Sequence, residues 1–125
     1  MIVDSNVIIY AIKPEFDRLR TYLVLKADTL YVSSITRLES LGYHRLTADE
    51  ATQFDDLFRI INMIGINELV ITEAIRLRQQ RKRSLADSII AATGLLYKQP
   101  VLTNNVADFA DIEGLQVIAL ADVLV

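Results

Sequence analysis

The chain has 125 residues, of which 52% are hydrophobic and 23% charged, with a formal net charge of −3. This length suits one domain (1–125), and no apolar run is long enough to span a bilayer or resembles a signal peptide, so we expect a cytoplasmic protein. The absence of cysteine excludes disulfides and thiolate metal sites, and a single histidine leaves carboxylate oxygen as the expected ligand type, which favours Mg²⁺ or Mn²⁺ over zinc.

Short apolar runs alternate with amphipathic segments along the whole chain. The segments predicted as strands are 1–4, 30–33, 69–71, 100–103 and 117–119. The segments predicted as helices are 6–12, 15–26, 34–46, 48–63, 72–82 and 84–98. Strands separated by helices favour a parallel sheet that is covered on both faces. The sequence therefore predicts an α/β fold, a three-layer α/β/α sandwich around a five-stranded parallel sheet.

An acid follows the first predicted strand directly, in Asp4-Ser5-Asn6. In open α/β sheets the functional crevice lies outside the carboxyl ends of the strands, which makes Asp4 a candidate ligand. Asp and Asn are also common in turns and helix caps, so a structural role for Asp4 remains open.

Glu39 lies on the third predicted helix, at the edge of its expected packed stripe. Such a position is costly for a charge because burial removes its hydration. A capping box, Thr36-x-x-Glu39, is the alternative, although Ser34 is the better N-cap. The stripe is formed by Ile35, Leu38, Gly42 and Leu46.

Asp87 lies in the first turn of the last long predicted helix. Ser84-x-x-Asp87 has the composition of a capping box, and an acid there suits the helix dipole. Ile90, Ala91 and Gly94 follow at helical spacing, which places Asp87 on the face that packs toward the sheet. Both roles are compatible.

Asp108 comes shortly after the fourth predicted strand, beyond Asn104-Asn105. Asn-Asn is typical of turns, and Asp108 could cap the segment that follows. Considered together, however, four acids at one edge of a sheet would repel one another strongly unless a cation neutralised them.

Four fragments occur in order along nearly the whole chain: IVDSN at 2–6, VSSITRLE at 32–39, LADSIIAA at 85–92 and LTNNVADF at 102–109. In this order and at this length they resemble the motifs of PIN domains, and within that group those of the VapC-type toxins of bacterial and archaeal toxin–antitoxin pairs. The resemblance implies a five-stranded parallel sheet, Mg²⁺- or Mn²⁺-dependent cleavage of RNA, homodimers, and inhibition by an antitoxin. A PIN domain that binds RNA or a partner protein without cutting is the alternative function.

The resemblance also implies the roles of individual residues in phosphodiester hydrolysis. Asp4 would anchor the main ion, Glu39 and Asp87 would complete its shell or that of a second ion, and Asp108 would hold the second ion or orient water. Some branches of the family carry an acid near Asn105 in place of Asp108. Ser5 and either Thr103 or Asn105 would assist.

A net negative charge gives no overall attraction to RNA, so binding needs a local basic surface. The one run of cations precedes the Asp87 helix, where phosphate contacts would add salt-dependent affinity. A solvated helix face explains the same run equally well. Its members are Arg76, Arg78, Arg81, Lys82 and Arg83.

Two predicted helices, 15–26 and 48–63, carry apolar stripes that could remain open in a monomer. We expect them to form a homodimer contact or a groove for an antitoxin segment, which would extend an Arg or Lys into the acids. Core packing is the more common use of such stripes. The residues concerned are Phe16, Leu19, Tyr22, Leu23, Phe54, Leu57, Phe58 and Ile61.

Overall fold

The computed structural model describes residues 1–124, which contain a five-stranded parallel sheet. The strands are β1 (Ile2–Val3), β2 (Tyr31–Ser33), β3 (Asn62–Ile64), β4 (Val101–Thr103) and β5 (Val117–Ala119). They lie side by side in the order β3-β2-β1-β4-β5. Ile2 on the central strand is paired with Tyr31 on one side and Val101 on the other. The predicted three-layer fold is confirmed.

Helices connect and cover the strands: α1 (Ser5–Ala11), α2 (Asp17–Lys26), α3 (Ser34–Leu41), α4 (Ala48–Ile60), α5 (Glu68–Gln80), α6 (Leu85–Tyr97) and α7 (Leu120–Val123). Short 3₁₀ turns lie at Pro14–Phe16, Ala27–Thr29 and Val106–Asp108. Within residues 1–124, every helix is too short or too polar to cross a membrane.

The third strand is at Asn62–Ile64, so its predicted position at 69–71 is wrong. The side chain of Asn67 accepts a hydrogen bond from the Val70 amide, which starts α5 and places 69–71 in its first turn. β3 lies at the sheet edge and is largely exposed, so it lacks the apolar run of a buried strand. The predicted helix 48–63 accordingly ends at Ile60.

The third helix ends at Leu41, five residues earlier than predicted, and Ser33, not Ser34, is its N-cap. Leu38 is 67% exposed while Ile35 is buried, so the predicted stripe of Ile35, Leu38, Gly42 and Leu46 is wrong. The chain leaves the helix at Gly42 and begins α4 at Thr47, whose capping box with Glu50 fixes that new start.

The core lies on both faces of the sheet because successive strand residues point to opposite sides. Val3 and Leu102 pack with α1, α2 and α4, while Ile2 and Val101 pack with α5 and α6. The stripes on α2 and α4 belong to the first of these clusters, so their prediction as open faces is wrong and the core-packing alternative is confirmed.

The strand order places the site. The chain adds β2 and β3 on one side of β1, then returns to add β4 and β5 on the other. A crevice opens outside the carboxyl ends of the strands where the order reverses. Asp4 and Thr103 lie there, at the ends of β1 and β4.

Candidate active site

Asp4 is the buried centre of the acidic group, with 3% of its surface exposed. The Thr103 hydroxyl donates a hydrogen bond of 2.7 Å to Asp4 Oδ2. Asp4 occupies the N-cap position of α1, but its side chain makes no capping hydrogen bond. The Asp4 carboxylate therefore does not cap α1.

The surroundings of Asp4 disfavour its negative charge. Burial raises its pKa to about 6, and the Asp87 and Glu39 carboxylates add to this rise against the opposing hydrogen bond from Thr103. Within residues 1–124, no Lys or Arg forms an ion pair with Asp4. A buried carboxylate without a cation is costly, and a bound cation would relieve that cost.

Two hydroxyl contacts support this centre. Thr103 Oγ1 also accepts a hydrogen bond of 2.9 Å from the Asn105 amide, which ties the start of the following loop to Asp4. The hydroxyls of Ser5 and Thr36 lie 2.8 Å apart, and both residues are buried. Sequence reasoning missed Thr36, because its spacing from Glu39 was interpreted only as that of a cap.

Asp87 is half-buried in the first turn of α6. Ser84 Oγ accepts a hydrogen bond of 3.0 Å from the Asp87 amide, which confirms Ser84 as the cap. Burial raises the pKa of Asp87, and the Asp108 and Glu39 carboxylates raise it further, against the effects of Ser84 and Arg81. The backbone of Asp87 thus belongs to the capped helical turn, while its carboxylate is influenced by the Asp108 and Glu39 carboxylates.

Glu39 and Asp108 form the exposed side of the site. Ser33 caps α3 by accepting a hydrogen bond from the Ile35 amide, so the capping box proposed for Thr36 and Glu39 does not form. Neither exposed carboxylate has a hydrogen-bond or ion-pair partner within residues 1–124, and their side chains are free to turn toward a ligand.

Asp87 and Glu39 raise the pKa of Asp4, and Asp108 and Glu39 raise that of Asp87, yet the four acids do not form a closed metal site. Among residues 1–124, no three or more His, Asp or Glu side chains are arranged to hold a metal ion together. The donor set itself, all carboxylate with a buried unpaired member, fits Mg²⁺ or Mn²⁺. Metal binding by Asp4, Glu39, Asp87 and Asp108 stays a prediction.

A groove of about 380 Å³ lies between α1, α3 and α4 and reaches Glu39. Its lining is mainly apolar, with Lys13 and Glu50 as further charged members. Phe54 is the one member that the sequence had suggested for an antitoxin groove. The other lining residues are Ile9, Ile12, Ser40, Tyr43 and Leu46.

The basic run divides into paired and free cations. Arg83 is buried and bonded to Asp111 and the Leu77 carbonyl, so its guanidinium is already paired, and its contact with RNA stays a prediction. Arg81 is paired with Asp111 as well, and Arg76 with Glu73. Arg78 and Lys82 have no ion-pair partner within residues 1–124 and line one open pocket of about 340 Å³.

Comparisons with known proteins agree with this architecture. Residues 1–115 match the family model described as PIN domain. A comparison with curated proteins gives no match. A toxin–antitoxin complex from Klebsiella pneumoniae contains a chain with 26% identity and a TM-score of 0.75, and the match covers 94% of both chains.

Two further solved structures share the fold at lower identity. VapBC2 from Rickettsia felis, bound to a DNA fragment from its promoter, matches with a TM-score of 0.80 at 20% identity, over 94% of this chain and 96% of that one. DNA-bound VapBC from Salmonella typhimurium matches with a TM-score of 0.81 at 20% identity, over the same shares. The resemblance that the four sequence fragments predicted is confirmed.

Proposed function

Because the chain belongs to the PIN domain family, we propose that it is a metal-dependent endoribonuclease of the VapC type, the toxin of a type II toxin–antitoxin pair. The observation that carries this proposal is the buried Asp4 carboxylate, which lies at the reversal of strand order and has no cationic partner among the described residues 1–124. Asp87 and Glu39 act electrostatically on Asp4, and Asp108 acts on Asp87. All three are partly or fully open to solvent. This arrangement suits a cation and a phosphate that arrive from outside.

Each of these residues would have its own role in phosphodiester hydrolysis. A divalent ion bound there would hold the scissile phosphate and lower the pKa of the attacking water. Asp4, oriented by Thr103, would anchor that ion, and Glu39 and Asp87 would complete its coordination. Asp108, on the open side, would bind a second ion or orient the water. Because water is the nucleophile, no nucleophilic side chain is needed.

RNA must reach an acidic crevice, and we assign its attraction to Arg78 and Lys82. Both lack an acidic partner within residues 1–124 and line the same pocket on α5 and the α5–α6 connection. That connection leads directly into the turn that carries Asp87. Such contacts add salt-dependent affinity without reading sequence.

The test is incubation of the purified protein with a total RNA pool, in Mg²⁺ or in EDTA, followed by mapping of the new RNA ends. We expect discrete ends in Mg²⁺ and none in EDTA, and none from a mock preparation. RNA that is bound but never cut in Mg²⁺ or Mn²⁺ would favour the alternative, a PIN domain that acts as a binding module.

We further propose that the antitoxin occupies the groove between α1, α3 and α4. The groove reaches Glu39, so an Arg or Lys of the bound segment could enter the acidic site and replace the charge of the metal. Glu39→Gln should therefore weaken antitoxin binding measured by calorimetry without metal, whereas Asp56→Asn on the exposed side of α4 should not. If the wild type and Glu39→Gln bind the antitoxin equally well, binding in the groove would stand, but the insertion of an Arg or Lys among the acids would be contradicted.

The proposed homodimer needs a different surface from the buried stripes of α2 and α4. Leu38, Leu69 and Leu85 are 67%, 69% and 59% exposed, and apolar side chains this open are suited to a second copy. Sedimentation of the wild type and of Leu38→Glu tests the assignment, because a charge in the interface should favour the monomer.

A further inference from the structure

A buried arginine lies beside the candidate site. The side chain of Arg83 is 2% exposed, and its Nε donates a hydrogen bond of 3.0 Å to the Leu77 carbonyl near the end of α5. Its Nη2 and Nη1 donate to the two carboxylate oxygens of Asp111, at 2.8 and 3.2 Å. A buried guanidinium needs such a counter-charge, and this pairing uses both oxygens in the fork geometry that arginine favours.

A second arginine uses the same carboxylate. Arg81 Nε and Nη2 donate to Asp111 at 2.9 and 3.1 Å, and Nη2 also lies 3.3 Å from the Asp108 carbonyl. Hydrogen bonds from Arg83 hold the pKa of Asp111 well below its usual range, so this carboxylate remains charged. One side chain therefore joins the α5–α6 connection to the loop that carries Asp108.

The two joined segments carry two of the four acids. Asp87 follows the α5–α6 connection by a few residues, and Asp108 precedes Asp111 in the loop between β4 and β5. Phe109 and Ile112 bury the loop against α5 and α6, while Arg81 and Asp111 supply its polar ties at the surface. Arg81 also contacts the Asp108 carbonyl, so its pairing with Asp111 ties the connection before Asp87 to the segment that carries Asp108.

We propose that Asp111 is a positioning residue: by binding Arg81 and Arg83 together, it fixes the Asp108 loop beside Asp87. The consequence for metal rests on the proposed function, whereas the fixing of the loop does not. Asp111 would not be a metal ligand, since both of its oxygens are used by arginine.

The first measurement is amide hydrogen exchange of metal-free protein, which needs no activity. Asp111→Asn should speed exchange in residues 106–112, and Asp111→Glu, which keeps the charge, should restore much of the protection. Asp17→Asn is the matched control, because it removes the carboxylate of an exposed ion pair with Arg20 on α2. Arg81→Gln is the second variant. It leaves the Arg83–Asp111 pair intact and should loosen the same loop without lowering the melting temperature.

The second measurement is Mn²⁺ binding by calorimetry. Asp111→Asn should weaken it about tenfold, as removal of a group that orients ligands typically does. Unchanged exchange in 106–112, or a uniform rise over the whole chain, would overturn the proposal. Faster exchange there with unchanged Mn²⁺ affinity would overturn the positioning of Asp108. A wild type that binds no Mn²⁺ would instead contradict the proposed function, and the exchange result would still decide the role of Asp111.

Discussion

Asp4 and Glu39 are carboxylates of the same candidate site, but the chain holds them in different ways. Asp4 is buried at the end of β1 and accepts a short hydrogen bond from Thr103 on β4. Glu39 lies exposed on α3, without a hydrogen-bond partner in residues 1–124. Asp4 with Thr103 forms the inner half of the site, and Glu39, Asp87 and Asp108 form the outer half. The sheet thus fixes the inner half, whereas in the outer half the exposed Glu39 carboxylate can adapt to what binds.

The largest expected effect comes from neutralising the inner carboxylate. Asp4→Asn should lower cleavage by about 10³-fold, since the charge stabilisation lost with the metal is worth several kcal/mol. Glu39→Gln should cost less, because an exposed ligand can be replaced by water. Rates of cleavage at one mapped RNA site measure both, and circular dichroism checks the folds. Equal losses of cleavage rate in Asp4→Asn and Glu39→Gln would contradict the functional difference between the inner and outer halves.

The inner half also predicts how metal-free stability depends on pH. Folding raises the pKa of Asp4 from 3.8 to about 6, so the folded state binds this proton more tightly than the unfolded chain. The proton on Asp4 therefore contributes about 3 kcal/mol to the free energy of unfolding below about pH 4. This contribution is lost as pH rises through about 6. Urea unfolding of the wild type and Asp4→Asn between these limits measures it as a difference. Parallel pH profiles would contradict the burial of Asp4 as its cause.

The outer half predicts a smaller effect, in metal-linked stability. Mg²⁺ or Mn²⁺ should raise the melting temperature of the wild type, because the ion binds the folded protein and not the unfolded chain. The increase should shrink in Asp87→Asn, which loses one ligand but keeps the Ser84 cap. If the metal raises the melting temperature equally in both proteins, Asp87 is part of the capped helical turn and not a metal ligand.

The smallest effect concerns Arg78 on α5 and Lys82 on the α5–α6 connection, the two cations that line one pocket. Arg78→Gln and Lys82→Gln should each lower the salt slope of RNA binding by about 0.7, the value for one contact to a single-stranded phosphate. Arg76→Gln is the control, because Arg76 is already paired with Glu73. Fluorescence anisotropy with an RNA oligonucleotide over a salt series gives the slopes. If the salt slope falls as much in Arg76→Gln, the presence or absence of an ion-pair partner does not decide which of these cations contact RNA.

Sequence alone predicted the inner half better than its surroundings. A short apolar strand followed by an acid identifies Asp4, because strand ends are local patterns. Thr103 was suggested only by the resemblance to PIN domains, as an alternative to Asn105. β3 was misplaced because an edge strand such as Asn62–Ile64 lacks an apolar run, while Leu69–Ile71 has one inside a helix. The role of Arg83 was missed because its partner, Asp111, lies 28 residues further along the chain and only the folded structure brings them together.

The Thr103 hydroxyl also aligns two hydrogen bonds of the inner half in one direction. Its hydroxyl has one hydrogen, which goes to Asp4, and its oxygen accepts the hydrogen of the Asn105 amide. The two dipoles therefore align head to tail, from main chain to hydroxyl to carboxylate, and each polarises the next. A backbone amide in a surface loop thereby contributes positive potential at a carboxylate below it. The position of that loop helps to set how basic the centre of the site is.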